Sequence, residues 1–428
     1  MAKVLPFCGY TYNLSKVSPD SVLAPPYDVV TEAEKRAYIE KHPYNILSLE
    51  MPDLREGEGN GGHNSVTSIL ESWIREGIVS RDPSPCVYPY ETVYEVNGRQ
   101  FTRTGLVCLV GIEPWETGVI LPHEKTFKKV TDERLRLLKT ARAQFSQIFL
   151  LSKGEKTLTQ ISKDEKRDFI YEAKDKDGNT HRLFRLSNED AIEELKKALS
   201  SKSLYIADGH HRYTTALAFK EMCDREGVFK GVNPPPHHYV MAYLVDSTDP
   251  GLLSLPTHRI VKSGGDEASR IVEALSPYLQ KVVEFDAGTE IKKVEEALEK
   301  LGQTTGFALC TGSDNRCVVF SLTEMGKETL LNQGISEGLL DLDVIPVDEL
   351  AIRRLFNKGA SELKEEGRLR YEAFFNRLDS LAKDEVLFYL RPTPIDAMMK
   401  VAEAGLTMPH KATYFYPKIL TGTVIRLL

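Results

Sequence analysis

Along the first 85 residues the spacing of apolar positions changes several times. "VLAPPYDVVTEAEKRAYIEKHPYNILSLEM" predicts an extended stretch, a helix and a second extended stretch. Thr31 followed by Glu34 is a capping-box pair that starts this helix, and Pro43 ends it. In "NSVTSILESWIREG", Val66, Ile69, Leu70, Trp73 and Ile74 recur at helical spacing, and Gly77 supplies the stop. Alternation then takes over. "VYPYETVYEV" and "RQFTRTGLVCLVGI" are β-rich arms around Asn97-Gly98, a pair suited to a type I′ turn. "RDFIYEAKDKDGNTHRLFRL" predicts a second hairpin around Asp177-Gly178. Between the hairpins "TDERLRLLKTARAQF" has helical spacing. "SNEDAIEELKKALS" returns to helix, and "SLYIADGHHR" is a β-type run that meets a helix start at a glycine.

Beyond it, "GVNPPPHHYV" is a loop by composition and "YVMAYLVD" a buried strand. Helices are expected at about 266–276 and 289–301, strands in "GFALCTG" and "RCVVFSL", and further helices around 347–357 and 368–383. "TPIDAMMKVAEAG" reads as a helix stopped by Gly405, and "TMPHKATYFYPKILTGTVIRLL" as a β-rich close. The class is α+β. Three parts are expected: a discontinuous core of 1–85 plus 187–235, a β-rich insert with one helix at 86–186, and a C-terminal α+β domain at 236–428.

Charge narrows the partners. The 428 residues carry 55 Lys and Arg against 62 Asp and Glu, so 55 − 62 = −7, which argues against a nucleic-acid binder that depends on bulk charge. The most basic stretch, "HEKTFKKVTDERLRLLKTAR", is mixed in sign and reads as a solvated helix face. No apolar run approaches the roughly 18 residues of a membrane span, and "MAKVLPFCGYTYN" lacks an apolar signal core. The six cysteines contain no CxxC pair and read as reduced thiols of a cytoplasmic protein.

The chemistry-bearing residues gather at the ends of β-type runs. Gly209 follows a strand and precedes a helix, so the first-turn amides of His210, His211 and Arg212 make an anion site. Arg212 adds a planar fork for phosphate, and Asp208 can hold a cation or position a hydroxyl. The competing structural account makes Asp208 a helix N-cap. Adjacent histidines point apart on a helix, so "HH" lacks the i, i+4 spacing of a zinc pair. In "VILPHEKTF", Pro122 breaks the strand and presents His123, Glu124, Lys125 and Thr126: a proton carrier, a base or Mg²⁺ ligand, a phosphate partner and a hydroxyl. In "MPHKATYFYPK", strand alternation would place Lys411, Thr413 and Phe415 on one face and Tyr414, Tyr416 and Lys418 on the other. "APPYDVV" presents Tyr27 and Asp28 at a strand end, and "LPTHRIV" offers His258 and Arg259 after a proline. Each motif also has a structural explanation, as turn, edge strand or satisfied core. Their shared bias toward Asp, Glu, His, Arg and Lys at strand ends favours a phosphate or nucleotide site.

"ADGHHRYTTA", "LPHEKTF…DERLRLLKTARAQFSQIF", "LPTHRIV" and "MPHKATYFYPK" together resemble a widespread prokaryotic family known as a domain of unknown function, over nearly the whole chain and in the family's order. One departure is Ala412, where that family more often has serine, so a phosphate-contacting hydroxyl is missing here. The "DGHHR" box also resembles, more distantly, the helix-start box of the ParB/sulfiredoxin superfamily. That implies a ParB/sulfiredoxin-like core with a β-rich insert and a C-terminal α/β region. Sulfiredoxins use a cysteine where this chain has His210, which argues against their chemistry. ParB-like members bind DNA and hydrolyse CTP; the acidic balance and the lack of a helix-turn-helix segment weigh against a DNA role. A third branch phosphorylates free L-serine, and its box is similar to Asp208, Gly209, His210 and Arg212.

The resemblance implies a phosphotransferase making O-phosphoserine, with ATP, ADP or pyrophosphate as donor. No GxxxxGK[ST] or GxGxxG loop is present. Donor phosphates would lie at 209–212 and near Lys411, Thr413, Tyr414 and Lys418. Mg²⁺ would be held with Asp208 or Glu124, and Asp28 or Glu124 would act as base. His123, His210 and His211 would contact the phosphoryl group or the amino acid. No nucleic-acid or membrane partner is expected, and a homo-oligomer is compatible. A ParB-like nucleotide switch and a metal-dependent phosphohydrolase are the alternatives.

Overall fold

The alternating arms at Asn97-Gly98 do form a hairpin, and it is the spine of the larger of two units. The computed structural model describes residues 1–52, 61–154, 156–164, 166–264 and 268–428. The first unit comprises Met1–Pro122, Thr126–Leu253 and Pro417–Leu428, and the second His123–Lys125 and Ser254–Tyr416.

Among the described residues the main sheet of the first unit has nine strands: β1 (Val4–Leu5), β2 (Tyr88–Val96), β3 (Arg99–Gly111), β4 (Ile120–Leu121), β5 (Ile148–Ser152), β6 (Asp168–Lys174), β7 (Thr180–Arg185), β8 (Leu204–Asp208) and β9 (Tyr239–Asp246). They form one mixed sheet in the order β4-β8-β5-β9-β3-β2-β7-β6, with β1 beside β3. Asn97 and Gly98 both adopt positive φ, as a type I′ turn requires. The second expected hairpin is β6 and β7. Central strands read as near-continuous apolar runs because both of their faces are covered. Leu106, Cys108, Val110, Ile148, Leu150, Leu204, Ile206, Ala242 and Leu244 lie in one core cluster. Their in-between neighbours Val107, Phe149, Leu151, Tyr205 and Tyr243 are also buried. The longer helices among the described residues of this unit are α1 (Glu32–Lys41), α2 (Gly61–Arg75), α3 (Lys128–Ala141), α4 (Glu189–Leu199) and α5 (His210–Glu226). Thr31 and Glu34 close the expected capping box on α1. Ala191, Ile192, Leu195 and Leu199 of α4, with Tyr213 and Ala216 of α5, complete the core cluster.

The second unit carries a six-stranded antiparallel sheet. Its strands are β10 (His258–Lys262), β11 (Leu279–Phe285), β12 (Gly306–Thr311), β13 (Cys317–Leu322), β14 (Leu369–Glu372) and β15 (Glu385–Tyr389), in the order β11-β13-β12-β15-β10-β14. Helices α6 (Ala268–Leu275), α7 (Ile291–Glu299) and α8 (Ile395–Glu403) belong to it, and Gly405 follows α8 at φ +67°. Residues 266 and 267, the expected start of α6, lie outside the described residues.

Four local expectations are corrected. "NILSLEM" contains a helical turn, Leu47–Glu50, because the Asn45 side chain accepts from the Leu47 amide at 3.1 Å and draws the backbone away from strand pairing. Tyr27 and Asp28 stand on a 3₁₀ turn, Tyr27–Val29, entered from Pro26 rather than at a strand end. The helix expected at 368–383 is replaced by β14 and a 3₁₀ turn at Leu378–Ser380. Gly367, at φ +68°, releases the chain from the short helix Ala360–Glu365, and Leu369 then pairs with Val261. Lastly, Cys310 and Cys317 form a disulfide. They are direct cross-strand partners on β12 and β13, with Cα atoms 4.1 Å apart, a closeness that only pairing of the two strands creates. Cys8, Cys86, Cys108 and Cys223 are free thiols. The expectation that all six cysteines are reduced thiols is corrected by the Cys310–Cys317 pair. Among the described residues no helix is long and apolar enough to cross a membrane.

Candidate functional site

Strand β8 delivers Asp208, and Gly209 turns the backbone into α5 with φ +95°. Gly209, not Asp208, occupies the N-cap, so the carboxylate points to other partners. Lys418 Nζ lies 2.6 Å from its Oδ2, and Arg212 Nη2 lies 3.4 Å from its Oδ1. Arg212 also donates to the Gln147 carbonyl. The three side chains keep 13–15% of their surface in contact with solvent, which leaves them reachable by a small ligand.

Gly209 carries a test of this arrangement. An L side chain there is strained, and its Cβ would stand 3.0 Å from Arg212 Nε. Gly209→Ala is expected to cost about 1–2 kcal/mol of stability and to displace the guanidinium. Thermal unfolding and a nucleotide titration would check this. Unchanged stability and affinity would show that the turn does not position Arg212.

More charge surrounds Arg212. Burial opposes its charge, yet Asp208, Asp28, Tyr27 and Glu50 together hold its pKa above the ordinary value. Burial, followed by Asp28, pushes the Tyr27 phenol up, while Arg212 and Arg134 pull it down less strongly. Burial likewise raises the Glu50 pKa, against Arg134 and Arg212. Arg134 donates to the Glu50 carbonyl at 2.7 Å and to Glu133 Oε1 at 2.6 Å, and its guanidinium lies over the Tyr27 ring at 4.3 Å. A cleft beside this cluster is lined by Glu50, Arg134, Ser146, Arg212 and Thr215, with Leu137, Leu138, Phe145, Ile148, Ala216 and Val240 as its apolar walls.

Glu50 and Arg134 were not legible as site residues. The stretch containing Arg134 reads as solvated, but Arg134 is buried, and that expectation is corrected. Residues 134, 137, 138 and 141 form the buried face of α3. The i, i+3, i+4, i+7 spacing that places Arg134 with Leu137, Leu138 and Ala141 was the available signal.

Of the remaining expected residues in this unit, His210 is buried and His211 accepts the Phe127 amide on Nε2 at 3.0 Å. The His211 ring stacks on Phe127 with centroids 5.9 Å apart, next to the half-buried Thr126. The first unit thus brings together Tyr27, Asp28, Asp208, Arg212 and Lys418.

The other expected residues belong to the second unit. His123 is buried, its Nε2 is 3.2 Å from Thr413 Oγ1, and its carbonyl accepts the Met408 amide at 2.8 Å. Glu124 forms a parallel bridge with Met408, and Lys125 is exposed. Lys411 adopts φ +57° ahead of the short strand Tyr414–Tyr416, so strand alternation starts after it and Lys411 does not share a strand face with Thr413 and Phe415. Tyr414 stacks with Tyr416, centroids 6.5 Å apart. His258 stacks on Tyr389 at 3.9 Å and accepts the Leu390 amide on Nδ1 at 3.1 Å. Burial, helped by Arg259, pushes the His258 pKa down to about 3. Arg259 makes a two-bond fork on Asp348, Nε to Oδ1 at 2.9 Å and Nη2 to Oδ2 at 3.0 Å, and both residues are buried. Asp348 is a partner that no local motif announced.

A helix start with two cations, close to several carboxylates, can neutralise a polyanion and also hold a cation or accept a proton. Solved structures similar to this chain include a variant of a free serine kinase in complex with ADP (TM-score 0.35, 13% identity, 72% of this chain and 87% of that one). A conserved hypothetical protein from Pyrococcus furiosus has TM-score 0.31 and 13% identity, covering 73% of this chain and 92% of that one. SbnI from Staphylococcus aureus, truncated at its C-terminus, has TM-score 0.34 and 10% identity, covering 74% and 85%. At such TM-scores the likeness bears on neither activity nor ligand. No curated protein matches. The model of the family described as "Protein of unknown function (DUF1015)" matches residues 4–345, most of the chain, and the chain therefore belongs to that family.

Proposed function

We propose that this protein is a phosphotransferase with a small alcohol as acceptor, free L-serine first among them, built on a ParB/sulfiredoxin-like core. The observation that carries the reading is the double cation contact at the mouth of α5: Lys418 and Arg212 both meet Asp208, next to a glycine that leads into the helix. Phosphoryl transfer depends on positioning and on neutralising charge more than on covalent chemistry by the protein. The resemblance of Asp208, Gly209, His210 and Arg212 to the free-serine kinase box supports the same reading.

Donor phosphates would accept hydrogen bonds from the first-turn amides of α5 and from Arg212 and Lys418. ATP, ADP and pyrophosphate all present the required oxygens. Asp208, with Asp28 nearby, offers hard oxygen ligands that suit Mg²⁺. That ion, when bound, would offset charge on the donor phosphates. Asp28 is the candidate to accept the proton as the acceptor oxygen bonds to phosphorus and the donor's bridging oxygen leaves.

Phosphorus-31 NMR of the purified protein with Mg²⁺ and L-serine, and with ATP, ADP or pyrophosphate in separate tubes, tests the proposal. A phosphomonoester signal matching O-phosphoserine is expected, and the active tube names the donor. Release of free phosphate without an ester would instead favour the phosphohydrolase, and binding without turnover would favour the nucleotide switch.

A further inference from the structure

The loop "GVNPPPHHYV" and the last turns of α5 meet at a second cluster that phosphotransfer does not use. Asp224 Oδ1 is 2.8 Å from His237 Nε2 and 2.7 Å from His238 Nε2. The three ligand atoms offered by these side chains all lie within 4.8 Å of one another. We propose that Asp224, His237 and His238 form a binding site for a divalent transition-metal ion of the zinc class.

Consecutive residues ordinarily point apart. Here the 3₁₀ turn Pro236–His238, entered through Pro235 at φ −65°, brings both rings onto one carboxylate oxygen. Phe229 stacks on the His237 ring with centroids 5.1 Å apart, and the His238 ring stands edge-on to it at 4.5 Å. His237 is buried, and the Phe229 stack holds its ring with Nε2 turned to Asp224 Oδ1. The other oxygen of Asp224 is 3.3 Å from Lys220 Nζ, which leaves Oδ1 to the ion and orients the carboxylate from behind. The ligands therefore sit on a helix and on a proline-stiffened turn before any ion arrives, which lowers the cost of ordering them.

The donor set selects the ion. Two imidazole nitrogens and one carboxylate oxygen suit Zn²⁺, Co²⁺ or Ni²⁺, whereas Mg²⁺ and Ca²⁺ prefer oxygen throughout. Ligand bonds of about 2.0–2.1 Å need donor atoms somewhat farther apart than they now stand, which side-chain rotation supplies. His238 and Asp224 keep 36% and 43% of their side-chain surface exposed, so solvent can reach the ion and complete its coordination. Asp224 lies 14 residues beyond His210 on α5, about 21 Å along the axis. The site is therefore separate from the Asp208 cluster, and the ion would clamp the proline turn to the end of α5.

The full chain, stripped with a chelator and dialysed, would be titrated calorimetrically with Zn²⁺ alone. One ion per chain is expected. His238→Ala and Asp224→Asn should each weaken it by roughly 100-fold or more, since outer-shell changes already cost about 10–100-fold. Co²⁺ should give the intense visible absorption of a four- or five-coordinate ion in the wild type and lose it in both variants. His237 is left intact because its burial would confuse lost binding with lost folding, and circular dichroism confirms that each variant is folded. Absence of Zn²⁺ binding by the wild type, or undiminished binding by both folded variants, would overturn the proposal.

Discussion

Arg212→Ala is expected to lower phosphoryl transfer by roughly 100- to 1,000-fold, the range found when one preorganised charge-stabilising donor is removed. The guanidinium lies in the first turn of α5 and carries the planar donor fork of the site. It is held by Asp208 and the Gln147 carbonyl, and four acidic or phenolic neighbours keep it charged despite burial. Its removal also leaves the Gln147 carbonyl with one donor fewer, so a stability loss of about 1–3 kcal/mol is expected alongside. Asp208 would keep Lys418 at 2.6 Å, which prevents a stranded carboxylate and a larger loss. Arg212→Lys should retain part of the activity, because the charge survives while the fork does not. The phosphorus-31 assay and a denaturant melt separate these effects. Wild-type transfer by a folded Arg212→Ala protein would remove the helix start from the mechanism, and an unfolded variant would make the residue structural.

Arg259→Ala should act through stability. Arg259 and Asp348 are 1% and 3% exposed, so deleting the arginine leaves a carboxylate in the interior without its partner. Burial already raises the Asp348 pKa, and Arg259 is the main opposing influence. Breaking such a pair typically costs about 3–5 kcal/mol. The Arg259 fork also donates to the Thr257 carbonyl and lies 5.3 Å from the Tyr371 ring, which adds packing to the loss. A double variant, Arg259→Met with Asp348→Leu, should recover much of the stability, because no charge is then stranded. Urea unfolding of the three proteins measures this. A stable Arg259→Ala protein that cannot transfer phosphate would return Arg259 to the ligand site expected from its motif.

Those two arginines show what kind of information each level holds. The sequence by itself determined features whose causes lie within a few residues: the Thr31 and Glu34 capping box, the positive-φ turn at Asn97-Gly98, and the strand, glycine and helix at 204–226. Dihedral preference, capping and alternation are local energies, so a short window expresses them. Where a local preference competed with longer-range pairing, the window misled, as at 368–383, where Leu369 joins the strand that includes Val261. Tertiary structure alone decided which distant charges meet. Glu50 and Arg134 are 84 residues apart in the chain, and Asp208 and Lys418 are 210 apart. "MPHKATYFYPK" reads as one strand but is divided, with Thr413 in one unit and Lys418 in the other. Whether an arginine serves a ligand or a buried carboxylate depends on desolvation by distant segments, and that energy exists only once the chain has folded around it.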